Sequence, residues 1–177
     1  MKGAIKMPIQ NPLFFHQLPN FAQILRRAPS ASAWVKGSSE FPMISGNVSF
    51  FQTAIGVLVS VQITGLPSSE RTCRNQFFAF HIHSGGICNP DDAFADTQSH
   101  YNPDHCDHPD HAGDLLPILG NHGYAFEVFL TDNFSVDEIV GKTVIVHRNP
   151  DDFTSQPSGN AGTKIACGEI VRTLRRT

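Results

Sequence analysis

Val57-Leu58-Val59-Ser60-Val61-Gln62-Ile63-Thr64 decides the class of this chain. Val57, Val59, Val61 and Ile63 alternate with Leu58, Ser60, Gln62 and Thr64, a period of two that places the four branched residues on one side of an extended strand. Gly65-Leu66-Pro67 then ends the run with turn-forming residues. Working outward, similar runs occupy Ala33–Lys36, Ile44–Thr53, Phe77–His83, Tyr124–Thr131, Lys142–His147 and Lys164–Val171. The stretches between them, Ser68–Asn75, Ser84–Asp92 and Asn149–Gly162, are rich in turn formers. There is no internal repeat and no long helical period after Ser30, so the reading is all-β, a sandwich or a barrel. The chain from His83 to His122 reads as mostly structureless, and loops of that length in a compact domain are usually functional.

Composition narrows the class further. With 177 residues, 40% apolar and 16% charged, the chain is neither disordered nor a coiled coil, and it suits one domain with an appendage. Thirteen Lys and Arg against sixteen Asp and Glu give a net charge of −3, which argues against a general nucleic-acid binder. No apolar run approaches the roughly 20 residues of a membrane-spanning helix. Residues 1–30 read differently from 31–177. Pro8, Gln10, Asn11 and Pro12 stand where the apolar stretch of an export signal would be, so the reading favours the cytoplasm, with non-classical export or surface association as alternatives. Asn20 is expected to cap a two-turn helix to Arg27 with Phe21, Ile24 and Leu25 on one face. So short a helix must dock, either on the domain's own flank or at a dimer or partner contact. Cys73, Cys88, Cys106 and Cys167 leave the redox state open on composition alone.

Nine histidines are present, seven of them between His81 and His122. In Phe77-Phe78-Ala79-Phe80-His81-Ile82-His83, Phe78, Phe80 and Ile82 share one face and should enter the core. His81 and His83 then point outward together, close enough to share one ion. In Thr143-Val144-Ile145-Val146-His147, the valines take the core face and His147 the outer one. The segment His100-Tyr101-Asn102-Pro103-Asp104-His105-Cys106-Asp107-His108-Pro109-Asp110-His111-Ala112-Gly113-Asp114 adds four imidazoles and four carboxylates. Imidazole is the commonest side-chain metal ligand and suits both copper and zinc, so this density reads as metal binding.

These stretches, in this order, resemble the copper/zinc superoxide dismutase family: Phe80-His81-Ile82-His83, His100-Tyr101-Asn102-Pro103, His111-Ala112-Gly113-Asp114, Val144-Ile145-Val146-His147 with Asn149-Pro150-Asp151-Asp152, and Gly159-Asn160-Ala161-Gly162-Thr163-Lys164-Ile165-Ala166-Cys167-Gly168. The resemblance covers about residues 31–172. It implies an eight-stranded, immunoglobulin-like Greek-key β-barrel or sandwich with long metal-binding loops. It implies an enzyme that converts superoxide to dioxygen and hydrogen peroxide. Copper would be held by His81, His83, His100 and His147. Zinc would be held by His100, His108, His111 and Asp114, with His100 bridging the ions. His108 is preferred to His105 because its distance from His100 matches the family spacing. Asp151 would link His81 to His108, while a plain turn at Asp151-Asp152 is a compatible reading. Cys88 and Cys167 would form the family disulfide; Cys73 and Cys106 are left open between two free thiols, the favoured reading, and a pair with each other. Superoxide would be the substrate, and a homodimer is a family habit that the sequence does not locate.

Lys164 departs from the family pattern, which has arginine three residues before the second disulfide cysteine. Lysine keeps the charge that would guide superoxide, but is expected to lose the planar fork that holds two oxygens or fastens the loop backbone. The expectation is an active but slower or more salt-sensitive enzyme in which His100 and Lys164 are catalytic. The alternative is a catalytically weak or inactive copper- and zinc-binding protein of the same fold, used for metal storage, delivery or structure.

Overall fold

The computed structural model describes residues 19–68 and 76–174. Nine strand segments follow one another: β1 (Ala31–Gly37), β2 (Ser45–Thr53), β3 (Gly56–Thr64), β4 (Gln76–Phe78), β5 (Phe80–His83), β6 (Ile118–Gly120), β7 (Ala125–Thr131), β8 (Thr143–His147) and β9 (Lys164–Arg172). Two single α-helical turns accompany them among the described residues, α1 (Phe21–Ile24) and α2 (Val136–Ile139), with two 3-10 turns at Pro90–Asp92 and Ala95–Thr97. Seven strands pair antiparallel in the order β5-β8-β9-β1-β2-β3-β7, and β4 pairs with β6. The short pair links the two edges of the large sheet. β4 runs into β5 across Ala79, and β6 meets β7 through the bridge between Asn121 and Tyr124. Because β4 and β5 are halves of one run, the nine segments trace the eight strand positions expected, in Greek-key order.

The period-two reading is reproduced where it was strongest. Val57, Val59, Val61 and Ile63 are fully buried and share one core with Val48, Phe50, Phe78, Phe80, Ile82, Val144, Val146 and Ile170. Each such side chain contributes about 1.5–3 kcal/mol on burial, so the barrel is held by its interior and the long loops are left for other work. Cys88 and Cys167 are disulfide-bonded across a sequence separation of 79. Phe94 packs with Ile145 and that cystine in a second, smaller cluster that pins the loop outside the sheet.

The structure also departs from the sequence reading. The helix expected from Asn20 to Arg27 is a single turn, Phe21–Ile24, although Asn20 caps it by accepting from Gln23 N–H at 3.1 Å. Leu25 lies past its end and is exposed. So few residues close too few i→i−4 bonds to propagate a second turn. The Phe77–His83 run is interrupted at Ala79, whose N–H donates to Asn149 O at 2.8 Å as the chain changes partner from β6 to β8. β6 falls within the stretch read as structureless, being too short for any period to show. Among the described residues no helix is long and apolar enough to cross a membrane. Cys73 and residues 1–18 lie outside the described residues.

Candidate metal centre

The alternation in β5 sends His81 and His83 to the outside of the barrel, yet they are 0% and 2% exposed. Outside the barrel is not water here, because the 84–117 loop lies along the free edge of β5. Ile82 N–H donates to Gly113 O, Tyr101 N–H to Ile82 O and Gly113 N–H to Tyr101 O, each at 2.8 Å. That docking sets His100 opposite His83 and Asp114 opposite His81. A Cβ at residue 113 would lie 2.4 Å from Ile82 O, so the approach requires glycine. His147 ends β8 at a bulge, where the register shifts after Val146 and brings Lys164 opposite it. Bulges next to functional sites re-aim side chains in this way.

Two donor groups result. His81, His83, His100 and His147 form one, and His100, His108, His111 and Asp114 the other; within each, one donor atom per residue lies within 4.8 Å of all the rest. In the first group the outer nitrogens are already committed. His83 Nδ1 lies 2.8 Å from Gln98 O, His147 Nδ1 lies 3.2 Å from Gly162 O, and His81 Nε2 lies 2.7 Å from Asp151 Oδ2. A carbonyl can only accept, so both Nδ1 atoms carry the proton and both Nε2 atoms present lone pairs, 3.3 Å apart. His81 Nδ1 and His100 Nε2 are buried with no hydrogen-bond partner at all. Leaving buried lone pairs unpaired costs about 1–3 kcal/mol each, which a nitrogen-preferring cation would offset.

The second group is organised by Asp114. Oδ1 is 2.7 Å from His100 Nδ1, while Oδ2 is 2.9 Å from His108 Nδ1 and 3.1 Å from His111 Nδ1. His108 Nδ1 is close to that oxygen but out of line for a hydrogen bond, so it too is without a partner. Three imidazoles and a carboxylate around one point match the four-coordinate N/O set that zinc takes. A metal cation therefore fits both groups, and the ring of His100 belongs to both.

Asp151 ties the groups together a second time. Its Oδ2 accepts from His81 and its Oδ1 from His108 at 2.9 Å. Gly159 makes room for this link, since a Cβ there would lie 2.0 Å from Asp151 Oδ1. Asp152 does separate work, capping the turn through Thr154 N–H and Ser155 N–H at 2.9 and 2.8 Å. The relay and the turn coexist.

Electrostatics follow from this burial. Removal from water, then the neighbouring rings of His147 and His100, push His83 down to about 2. Removal from water and the ring of His81 push His147 down to about 3. Both stay neutral, the form able to ligate a cation. Burial alone would raise Asp151, but hydrogen bonds from His81, Phe153 N–H and His108 outweigh it and hold the carboxyl at about 2. Asp114 is likewise lowered against its burial, by His100 first and then by the charges of His111 and His108.

All seven residues expected as ligands converge, and His108 rather than His105 is in the second group. His105 is exposed in a left-handed conformation (φ 55°), and Cys106 is a free, exposed thiol. One expectation is overturned. Lys164 does fasten the loop backbone, because its Nζ donates to Phe94 O, Thr97 Oγ1 and Gln98 O at 3.1, 2.8 and 3.2 Å. Sequence reasoning missed Gln156, whose side chain accepts from His108 N–H at 3.0 Å and donates to His108 O at 2.6 Å. No pattern around Gln156 signals this. It also missed the carbonyls of Gln98 and Gly162, because backbone acceptors leave no mark in side-chain identity.

Comparison with known proteins agrees with this geometry. The family model described as copper/zinc superoxide dismutase (SODC) matches residues 44–170. Superoxide dismutase [Cu-Zn] 1 of Aquifex aeolicus is 34% identical over 140 residues, covering 71% of this chain and 79% of the relative. The extracellular superoxide dismutase [Cu-Zn] of Drosophila melanogaster is 35% identical over 150 residues, covering 75% of this chain and 78% of the relative. The crystal structure of a double mutant of a SOD-like protein from Bacillus subtilis superimposes with a TM-score of 0.65 at 24% identity, covering 79% of this chain and 96% of that one; it bears on the fold alone. The chain belongs to the copper/zinc superoxide dismutase family.

Proposed function

We propose that the protein is a superoxide dismutase, converting two superoxide anions and two protons into dioxygen and hydrogen peroxide. The observation that carries this reading is the ring of His100, one nitrogen of which faces Asp114 while the other is buried without a partner among three further imidazoles. On this reading His81, His83, His100 and His147 hold copper, and His100, His108, His111 and Asp114 hold zinc. Copper would supply one-electron redox chemistry, and zinc a redox-inert positive charge.

The remaining roles belong to this chain's own side chains. With Nδ1 of His100 held by zinc, Nε2 would carry the proton whenever it is not a copper ligand, and Asp114 would keep the ring oriented meanwhile. Asp151 fixes the orientation of His81 and His108, so neither ring turns when His100 changes state. A half-open cleft of about 400 Å³, lined by His83, His100, His147, Ser158 and Lys164 among others, admits a diatomic anion with room to spare. Lys164 is the cation at that cleft and attracts the anion toward it. Residues 31–177 form the catalytic domain, with 1–30 as an extension.

One observation favours a second reading, a copper- and zinc-binding protein with little turnover. The ammonium of Lys164 is engaged by the loop, and a poorly docked anion would react slowly. The deciding experiment is superoxide decay by stopped flow on protein carrying one copper and one zinc, compared with metal-stripped protein. Catalytic decay that follows copper occupancy supports the dismutase. Full occupancy without decay supports the binding protein.

A further inference from the structure

We propose that Gln156 is a positioning residue: by holding both main-chain groups of His108, it makes that ring, and not the ring of His105, the third imidazole of the second donor group. This deepens the reading of that group as a zinc site and rests on it. His105 and His108 stand three residues apart between His100 and His111, and both carry a donor that zinc takes. Side-chain chemistry therefore cannot choose between them. The main chain does, because His108 is the one buried residue from 103 to 110.

Two carboxamides impose that pattern. Asn102 Oδ1 accepts from Cys106 N–H at 3.0 Å, and its Nδ2 donates to Cys106 O at 2.8 Å. The closed loop carries Pro103, Asp104 and His105 on the exposed side, with His105 in the left-handed region at φ 55°. Gln156 repeats the pairing two residues on, accepting from His108 N–H at 3.0 Å and donating to His108 O at 2.6 Å. In each case one side chain engages the N–H and the C=O of a single residue, as a hydrogen-bonded pair does in an antiparallel ladder. A stretch outside any strand thus gains two rungs. A carboxamide supplies donor and acceptor together, whereas a carboxylate only accepts and an ammonium only donates.

The clamp on His108 is itself firmly mounted. Asp152 accepts from Thr154 N–H and Ser155 N–H at 2.9 and 2.8 Å, and Gly159 N–H donates to Ser155 O at 2.7 Å. Asp151, from the same segment, accepts from His108 Nε2 at 2.9 Å. That bond keeps the proton on Nε2 and leaves Nδ1 buried without a hydrogen-bond partner. Residues 151–156 therefore fix the ring of His108 through Asp151 and its main chain through Gln156. Among the described residues, no hydrogen bond from that segment reaches His105.

Amide hydrogen exchange on the metal-free protein reads the clamp, and zinc competition against a chelator reads the choice of ring. Gln156→Met removes both bonds at similar side-chain length, and Gln156→Glu replaces the donor with a second acceptor. Exchange of the His108 amide should be about tenfold faster in Gln156→Met, and both variants should bind zinc about tenfold more weakly than wild type. With Gln156 present, His105→Ala should leave zinc affinity unchanged. In the Gln156→Met background, His105→Ala should cost a further factor of about three or more, because the released stretch presents either ring. Wild-type zinc affinity in Gln156→Met would overturn the positioning role, and so would an unchanged His108 exchange rate. Weakened zinc binding with His105→Ala still silent would also overturn the proposal, since the amide would then steady the loop without selecting the ring. Failure of the wild type to bind zinc would sink the zinc reading alone, because the His108 exchange measurement uses no metal.

Discussion

The two donor groups at this centre are built by different means. Three of the four rings in the first group stand on strands, His81 and His83 on β5 and His147 on β8, and a hydrophobic interior fixes those strands from behind. The second group stands entirely on the 84–117 loop, whose shape depends on backbone docking to β5, on Gln156, on Asp151 and on the Cys88–Cys167 bond. Strand-borne ligands inherit their geometry from the core. Loop-borne ligands need each fastening to be supplied separately. His100, on the loop but paired with β5 at His83, is where the two constructions meet.

Substitutions should separate the groups, and the largest effect belongs to the strand side. His147→Ala should reduce superoxide turnover to background while zinc uptake by the loop group persists, as metal analysis would show. Loss of both metals together would mean that the groups are not independent. Next, Cys88→Ser should destabilise the metal-free protein by up to about 4–5 kcal/mol, read from denaturant unfolding, since the bond closes a long loop. If the comparison holds, zinc affinity should suffer more than copper affinity in that variant.

The same contrast explains what the sequence makes legible. Period-two alternation around Val57–Thr64, Phe77–His83 and Thr143–His147 announces both the barrel and the outward rings, because the core that sorts those residues is itself made of them. His108, His111 and Asp114 are not ordered by any period. Their residue types point to a metal, but choosing His108 over His105 takes the family spacing. Gln156, Gly159 and the two carbonyl acceptors act across loops distant in sequence, where one-dimensional patterns carry no trace of proximity. The N-terminal helix fails for the opposite reason: its cap and apolar spacing are present, and the segment is too short to use them.

Asp151 tests the link between the groups. Asp151→Ala should weaken zinc binding by about 10–100-fold in chelator competition. Gly159→Ala should weaken it in the same direction, because its methyl would occupy the place of the Asp151 carboxylate. Wild-type affinity in both variants would show that the loop group stands without this fastening.

A smaller effect is expected from pH on the metal-free protein. His83 and His147 titrate near 6.5 when unfolded but are held to about 2 and about 3 when folded. Below pH 6.5 the unfolded chain therefore binds protons that the folded one does not, so their contribution is complete above that pH and lost as pH falls toward 3. The slope is about 1.4 kcal/mol per pH unit for each ring. Asp151, depressed to about 2, adds a further loss below about pH 4. Chemical denaturation between pH 7 and pH 4 measures this, and a flat profile would contradict the burial of neutral rings. The smallest effect is expected at His105, exposed and outside both groups. His105→Ala should change stability by less than about 0.5 kcal/mol and leave both metal affinities unaltered.

One ring, His100, stands in both donor groups. Loading copper(II) into both groups and recording electron paramagnetic resonance tests it most directly. A shared imidazole predicts magnetically coupled ions and a strongly diminished copper signal at low temperature, recovered when zinc replaces copper in the loop group. Two independent copper signals of full intensity would mean that no imidazole is shared between the groups.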